Sequence, residues 1–403
     1  MQLNQRNRMN HRQLFQQYLG QTSPAPMAVE IARAEGVYMY GPEGQQYLDL
    51  ISGIAVSNVG HCHPEVVKAV KKQAETYMHI MVYGEFVQGP QVELAELLCN
   101  HLPEKLDNVF FVNSGSEAIE GAMKLAKRYT GRSEMVAFRK SYHGSTQGSL
   151  SVMGDETMKR SFRPLLPDIS FLDFNNREQL NTITRRTACV LVETIQGEAG
   201  AIAPCPFFLK ELREACTQNG ALLLLDEIQA GCGRTGKLWA FEHYGIEPDI
   251  LTLAKGMGGG LPIGAFISSK EIMQSLTYNP VLGHITTFGG NAVCCASAKA
   301  NLEVIIGNRL WEHAAQMEQV IRGALKHPVI KSIRGKGLML AVEFESFEQN
   351  KSIIDELVKR GYITDWFLFA PHCMRIAPPL IITKEEVLDA CENIIQAIES
   401  ILP

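Results

Sequence analysis

The 403-residue sequence has no apolar run near the roughly 18 residues that a membrane-spanning helix needs, and no long basic run. The first absence excludes a helical membrane anchor. The second, with a net charge of −5, excludes nucleic acid as the main partner. Charge is sparse, at 20% of residues against 46% hydrophobic, the reverse of a disordered chain. A large buried core is therefore expected, divided between domains. Internal repeats and low-complexity tracts are also missing. No acidic residue precedes Glu30, so the N-terminal arm is basic. It lacks an apolar h-region and a small-residue cleavage site, which predicts no secretory leader. Within it, Leu14 to Leu19 carries apolar residues at helical spacing and stops at Gly20, predicting a docked helix.

The ten cysteines follow no framework spacing from Cys62 to Cys391. Disulfide frameworks belong to small secreted domains, so reduced thiols in a cytoplasmic protein are expected. Cys294 and Cys295 are adjacent, where a bridge would be strained, and are predicted free and buried. His61-Cys62-His63 has no second cluster at zinc spacing. Neighbouring side chains cannot all face one ion, so a structural turn is predicted and no metal site.

What is present is a run of short apolar segments separated by helical ones. Val109–Val112, Ala188–Val192, Ala221–Leu225, Ile250–Ala254 and Ala265–Ser268 do not alternate, as strands covered on both faces do not. Phe207 to Asn219 carries apolar residues three or four apart and stops at Gly220, a helix with a glycine end. The pattern predicts an α/β fold with a mostly parallel central sheet. Ligands in such sheets gather at the carboxyl ends of the strands. Beyond about residue 300 the texture changes to a helix at Ala298–Ile306, strand-like runs from Ile330 to Phe344, and a helix at Glu385–Ile401. Residues 56–300 are expected to form a large domain. Residues 1–55 and 301–403 are expected to form a smaller α+β domain drawn from both termini.

Asn113-Ser114-Gly115-Ser116-Glu117 follows a strand and opens an amphipathic helix containing Ile119, Met123 and Ala126. Free N–H groups at a helix start make a phosphate seat; a capping box of Ser114 and Glu117 is the plainer reading, and both can hold. Asp226 and Glu227 end a strand where a carboxylate is costly without a partner. Lys255 lies roughly 30 residues on, the length of one strand–helix–strand crossover, so both can reach one crevice. It precedes Gly256-Met257-Gly258-Gly259-Gly260. A buried lysine becomes nucleophilic because burial disfavours its ammonium form. A strand-end lysine with a strand-end aspartate suits a pyridoxal phosphate enzyme, where the lysine forms the Schiff base and the aspartate keeps the pyridine nitrogen protonated. A structural ion pair is the alternative.

Leu224 to Gly236, with Asp226-Glu227-Ile228-Gln229 and Gly233-Arg234-Thr235-Gly236, resembles the signature of class III (ω-amino group) aminotransferases of PLP fold type I. So do Pro248 to Gly264, Gly36 to Pro64, and Met374 to Thr383. The resemblance extends to acetylornithine and ornithine aminotransferases. It implies that Lys255 is the Schiff-base lysine and proton shuttle, that Asp226 pairs with the pyridine nitrogen, and that Gln229 bonds the ring hydroxyl. By the same resemblance Gly115 and Ser116 hold the phosphate, Tyr142 stacks on the ring, and Thr287 reaches the phosphate across a homodimer interface. Arg375 resembles the arginine that clamps a substrate carboxylate. Glu198 resembles the glutamate that neutralises this arginine when the donor has no carboxylate there. Tyr83 and Phe86, by position, line the substrate entrance.

Two departures bear on the donor. Ser145 follows Tyr142-His143-Gly144 where acetylornithine, ornithine and 4-aminobutyrate aminotransferases usually have an arginine, and a hydroxyl does not replace a cationic fork. Some diamine aminotransferases also lack it, and Arg163 to Pro167 resembles their sequence. Thr194 stands where many relatives have proline. The resemblance thus implies transfer of a terminal amino group from an ornithine- or acetylornithine-like donor to 2-oxoglutarate. Diamine (putrescine or cadaverine) and 4-aminobutyrate donors are the alternatives. An aminomutase or racemase would keep the cofactor without needing 2-oxoglutarate. A non-catalytic binding protein is opposed by the intact Lys255, Asp226 and Gln229.

Overall fold

A computed structural model describes residues 10–401. Residues 1–9, with which the expected N-terminal part of the small domain begins, and 402–403 lie outside the description. In chain order the strands are β1 (Arg33–Glu35), β2 (Tyr38–Tyr40), β3 (Gln46–Asp49), β4 (Asn108–Val112), β5 (Glu134–Phe138), β6 (Ile169–Leu172), β7 (Thr187–Glu193) and β8 (Leu222–Asp226). They continue with β9 (Ile250–Leu253), β10 (Gly264–Ser268), β11 (Ser332–Lys336), β12 (Met339–Glu343), β13 (Tyr362–Ile363), β14 (Trp366–Phe367) and β15 (Ala370–Ile376).

The central sheet has the order β4-β10-β9-β8-β7-β5-β6. Its strands are parallel except β10, which runs antiparallel to both neighbours. Both faces are covered, which explains the unbroken apolar runs. Leu223 and Leu225 of β8 enter one hydrophobic cluster with Phe208, Leu212 and Cys216 of the helix Phe208–Asn219. Leu222 and Leu224 enter the opposite cluster with Ile119, Met123 and Ala126 of the helix Gly115–Thr130. Two four-stranded sheets flank this core, β1-β2-β3-β13 and β11-β12-β15-β14. In the first, β13 from the C-terminal region pairs parallel with β3 from the N-terminal region, so the two ends of the chain share one sheet.

Three details differ from expectation. The β8–β9 connection contains a short 3-10 turn, Ala240–His243, and no α-helix. Gly231, Gly233 and Gly236 carry the chain through tight turns over a buried Arg234. The N-terminal helix His11–Tyr18 forms, capped by Asn10 and Gln13, but none of its residues is buried in this chain. Cys294 is only half-buried, whereas Cys295 is buried. The His61-Cys62-His63 stretch is a turn: His61 Nε2 lies 2.8 Å from Asp49 Oδ2, and His63 Nδ1 accepts from the N–H of Glu65. No helix among the described residues is long and apolar enough to cross a membrane.

Candidate active site

The carboxyl ends of the parallel strands open onto a cavity of about 440 Å³. Strand register brings its acidic groups together, because Glu193 at the end of β7 is paired with Asp226 at the end of β8. Lys255 stands just beyond β9, on a backbone held at φ 40°, and points its amine into the same space. Burial pulls its ammonium below the ordinary lysine value, opposed by Glu198 and Asp226. β4 delivers Ser114, Gly115 and Ser116 to the cavity wall. Half of the expected capping box forms: Ser114 Oγ accepts from Glu117 N at 3.2 Å, but the Glu117 carboxylate accepts from Asn113 N at 2.6 Å and not from Ser114 N. The N–H groups of Gly115 and Ser116, in the first turn, have no intrahelical acceptor.

Asp226 is 5% exposed and has one partner on each oxygen. One carboxylate oxygen accepts from Ile228 N at 3.0 Å, and the other lies 2.7 Å from His143 Nδ1. His143 Nε2 is buried without a partner. Tyr142 lines the cavity beside it, and its N–H donates to Glu193 at 3.4 Å. The second Glu193 oxygen accepts from Gly197 N at 3.1 Å. Burial, and then Asp226, push the Glu193 carboxyl well above its usual range.

Glu198 and Arg375 form a closed pair. Arg375 Nη2 donates to both Glu198 oxygens, at 3.1 and 3.0 Å, and Nε donates to Asp365 at 2.8 Å. Glu198 also accepts from Leu368 N at 3.1 Å and from Gln229 Nε2 at 3.3 Å. Burial works against the Glu198 carboxylate, yet Arg375 and these donors hold it below the usual range. The Gln229 amide packs directly on Gly197, where a Cβ would come within 2.4 Å of its oxygen and displace it.

Lys255, Asp226, Gln229, Glu198, Tyr142, Gly115 and Ser116 thus share one cavity, with Arg375 bound to its wall. Thr287 is exposed, and neither it nor Tyr83 lines the cavity in a single chain; Phe86 is exposed as well. Sequence reasoning missed Glu193 and the contact of His143 with Asp226. The signal for Glu193 was the one used for Asp226, a carboxylate ending an apolar strand. Thr194, unexplained in the sequence, donates to Glu227 at 2.8 Å. Glu227 is buried beneath the site and also accepts from Ala240 and Phe241 N–H groups.

The donor set fits a phosphorylated pyridine aldehyde. One end of the cavity offers unpaired helix N–H groups, another a fixed carboxylate, and between them stand an amine and the apolar Ile228 and Ile195. The cradle is tight: a Cβ on Gly144 would lie 2.1 Å from Ser116 Oγ, and one on Gly115 would lie 3.0 Å from Ile228.

The sequence matches the family described as aminotransferase class-III over residues 20–398. It is 39% identical to the acetylornithine aminotransferase of Bacillus subtilis (strain 168), over 92% of this chain and 95% of the relative. With the acetylornithine aminotransferase of Methanopyrus kandleri the identity is 38%, over 97% of this chain and 100% of the relative. The solved ornithine aminotransferase of Toxoplasma gondii ME49 superposes with a TM-score of 0.90 at 30% identity, covering 98% of this chain and 96% of that chain. An (S)-enantioselective omega-transaminase from Thermomicrobium roseum superposes with a TM-score of 0.91 at 28% identity, covering 98% and 100%.

Proposed function

The chain belongs to the class-III aminotransferases, which work with pyridoxal 5′-phosphate, and from that premise we propose that it moves the terminal amino group of an ornithine- or acetylornithine-like donor to 2-oxoglutarate, giving an aldehyde and glutamate. The observation that carries this reading is the closed Glu198–Arg375 pair on the wall of the Lys255 cavity. A donor with no carboxylate at its reacting carbon meets a neutralised Arg375. A dicarboxylate acceptor displaces Glu198 and takes the guanidinium in its place, so that Arg375 is never buried unpaired.

In this reading the N–H groups of Gly115 and Ser116 hold the phosphate, and Asp226, oriented by His143 and Ile228 N, holds the ring nitrogen in its protonated form. Gln229 bonds the ring hydroxyl, and Tyr142 covers one face. Bound there, the cofactor supplies an electron sink for the substrate's reacting carbon. Lys255 supplies the amine that anchors the cofactor, and its Nζ then takes a proton from that carbon and returns one. Two half-reactions in one pocket give ping-pong kinetics. Thr287 is assigned to reach the phosphate from the second copy of a homodimer, and Tyr83 to line the entrance there. Residues 56–300 are assigned to the cofactor-binding domain, and 1–55 with 301–403 to the smaller one. Ten free cysteines fit a reducing cytoplasm.

A second reading, a diamine donor, has its own support. Among the described residues Lys255 is the one Lys or Arg side chain lining the cavity, and Ser145 stands exposed beside Ser116, where a hydroxyl offers no fork for a distal carboxylate. A donor panel of ornithine, acetylornithine, putrescine and 4-aminobutyrate with 2-oxoglutarate, read as glutamate formed, separates the readings. If none yields glutamate, both fail. Borohydride reduction and peptide mass spectrometry should place a pyridoxyl group on Lys255. Lys255→Ala should abolish turnover with the fold intact.

A further inference from the structure

Four consecutive residues lie at positive φ: Ser52 (44°), Gly53 (62°), Ile54 (66°) and Ala55 (60°). L-residues avoid this left-handed region because Cβ meets the following carbonyl oxygen, and a β-branched residue tolerates it least. A turn of this kind persists only where its surroundings over-determine it, and such turns cluster at functional sites. Here Asp49 Oδ1 accepts from the N–H groups of Ile51 at 2.9 Å and Ser52 at 2.7 Å. Ser52 Oγ donates to Ala377 O at 2.7 Å and accepts from Arg234 Nη2 at 3.3 Å. The turn runs directly into Val56, which lines the cavity.

Arg234 is fully buried. Its Nη1 donates to the carbonyls of Leu338, at 3.0 Å, and Pro378; its Nη2 donates to Asn58 Oδ1 at 2.5 Å as well as to Ser52. Burying a charge is costly, and these four acceptors are neutral groups from three separate segments, residues 52–58, Leu338 and Pro378. Two of them lead to the reaction centre. Pro378 follows Arg375 along the chain after Ile376 and Ala377, and Ala377 N donates to Leu50 O at 2.7 Å. Asn58 donates to Cys232 O at 2.9 Å, and its amide lies against Gly256, where a Cβ would sit 2.4 Å away, next to Lys255.

We propose that Arg234 is a positioning residue, a buried fork that clasps the left-handed turn to the segment leaving Arg375 and so fixes Arg375 relative to Lys255. It touches neither substrate nor cofactor. The proposal rests on the transamination reading above, in which the acceptor half-reaction uses Arg375 and the donor half-reaction leaves it paired with Glu198. Lysine at position 234 keeps the charge but cannot fork.

The test uses the holoenzyme and Arg234→Lys. Affinity for glutarate, an unreactive dicarboxylate, measured by calorimetry, and KM for 2-oxoglutarate are both expected to weaken about tenfold or more. The single-turnover rate with a carboxylate-free amine donor and the bound cofactor content stay unchanged. Ser52→Ala, which removes one acceptor, gives a smaller shift in the same direction and serves if Arg234→Lys does not fold. Unchanged glutarate affinity in the folded variants overturns the assignment. So does a parallel fall of donor and acceptor rates in step with lowered thermal stability. A wild-type enzyme whose glutarate affinity depends on Arg234 in this way yet which never uses 2-oxoglutarate upholds the positioning role of Arg234 and refutes the acceptor alone.

Discussion

Arg375 is 3% exposed and holds two carboxylates, Glu198 at 3.0 Å and Asp365 at 2.8 Å. Removing one partner of a buried pair leaves a charge uncompensated, a cost of about 3–5 kcal/mol. Glu198→Gln keeps the shape and loses the charge, so donors that rely on a neutralised Arg375 should lose about 10- to 100-fold in kcat/KM, or about 1.4–2.7 kcal/mol. Glutamate, which replaces Glu198 on Arg375, should lose only a few-fold. Steady-state kinetics with both donors decides, and equal losses contradict the pairing role. Glu227 carries a pH signature. Burial raises its carboxyl to about 7, against the donors Ala240 N, Thr194 Oγ1 and Phe241 N. Its unfolded value is about 4.3, so between these values the folded chain binds the extra proton and stability from this group falls as pH rises. Thr194→Val removes a donor to the charged form and raises that carboxyl further. It should cost about 1 kcal/mol or more, and more at pH 7.5 than at pH 5. Urea unfolding across that range checks it; a pH-independent difference would refute the coupling. Much of this site was legible as residue types. Asp226, Lys255, Glu198 and Arg375 sit in spaced motifs, whereas the His143–Asp226 contact joins positions far apart in sequence and only register reveals it.

At the scale of elements, strands buried on both faces declared themselves, since β7, β8, β9 and β10 are fully buried and mostly apolar; β4 showed the same apolar run Val109–Val112, although it is a half-buried edge strand. β5 and β6 were illegible for a physical reason. Glu-Met-Val-Ala-Phe and Ile-Ser-Phe-Leu are short runs that periodicity does not separate from buried helix, and β6 sits at the sheet edge with half-covered residues. The turn Ser52–Ala55 was illegible because Ile54 at φ 66° contradicts its own preference, and tertiary bonds alone hold it there. The loop Tyr142–Ser145 shows an element serving the site through space it leaves empty. Gly144 lies at φ 120°, and a Cβ would collide with Ser116 Oγ at 2.1 Å and Ser149 Oγ at 2.8 Å. Gly144→Ala should push the first turn of the helix Gly115–Thr130 out of place and weaken pyridoxal phosphate binding about tenfold or more. Absorbance titration of the cofactor-free chain measures this. Unaltered affinity would mean that the helix start does not hold the phosphate.

At the scale of the whole molecule, the segments 78–87 and 281–288 expose apolar side chains that their own packing does not explain. Met78, Phe86, Val87, Val281, Ile285 and Phe288 are exposed, Val87 at 94%. The two segments that carry them meet, because Asn291 Nδ2 donates to Met78 O at 2.9 Å and the rings of His79 and Phe288 lie 4.8 Å apart. Clustered exposed apolar side chains mark interaction surfaces. Thr287 and Tyr83, both absent from the cavity lining of a single chain, lie within these two segments. A two-fold interface is isologous, so a second copy seated on this patch would carry its own Thr287 and Tyr83 toward the first copy's cavity, and the reverse. In such a dimer Ile285→Asp would bury an unpaired carboxylate at the contact, a large penalty for association. Sedimentation velocity should find wild type as a dimer and the variant as a monomer. Because each cavity would then lack its neighbour's contribution, cofactor retention and turnover should fall with the dimer fraction. A monomeric variant with full turnover would mean that the site is complete within one chain.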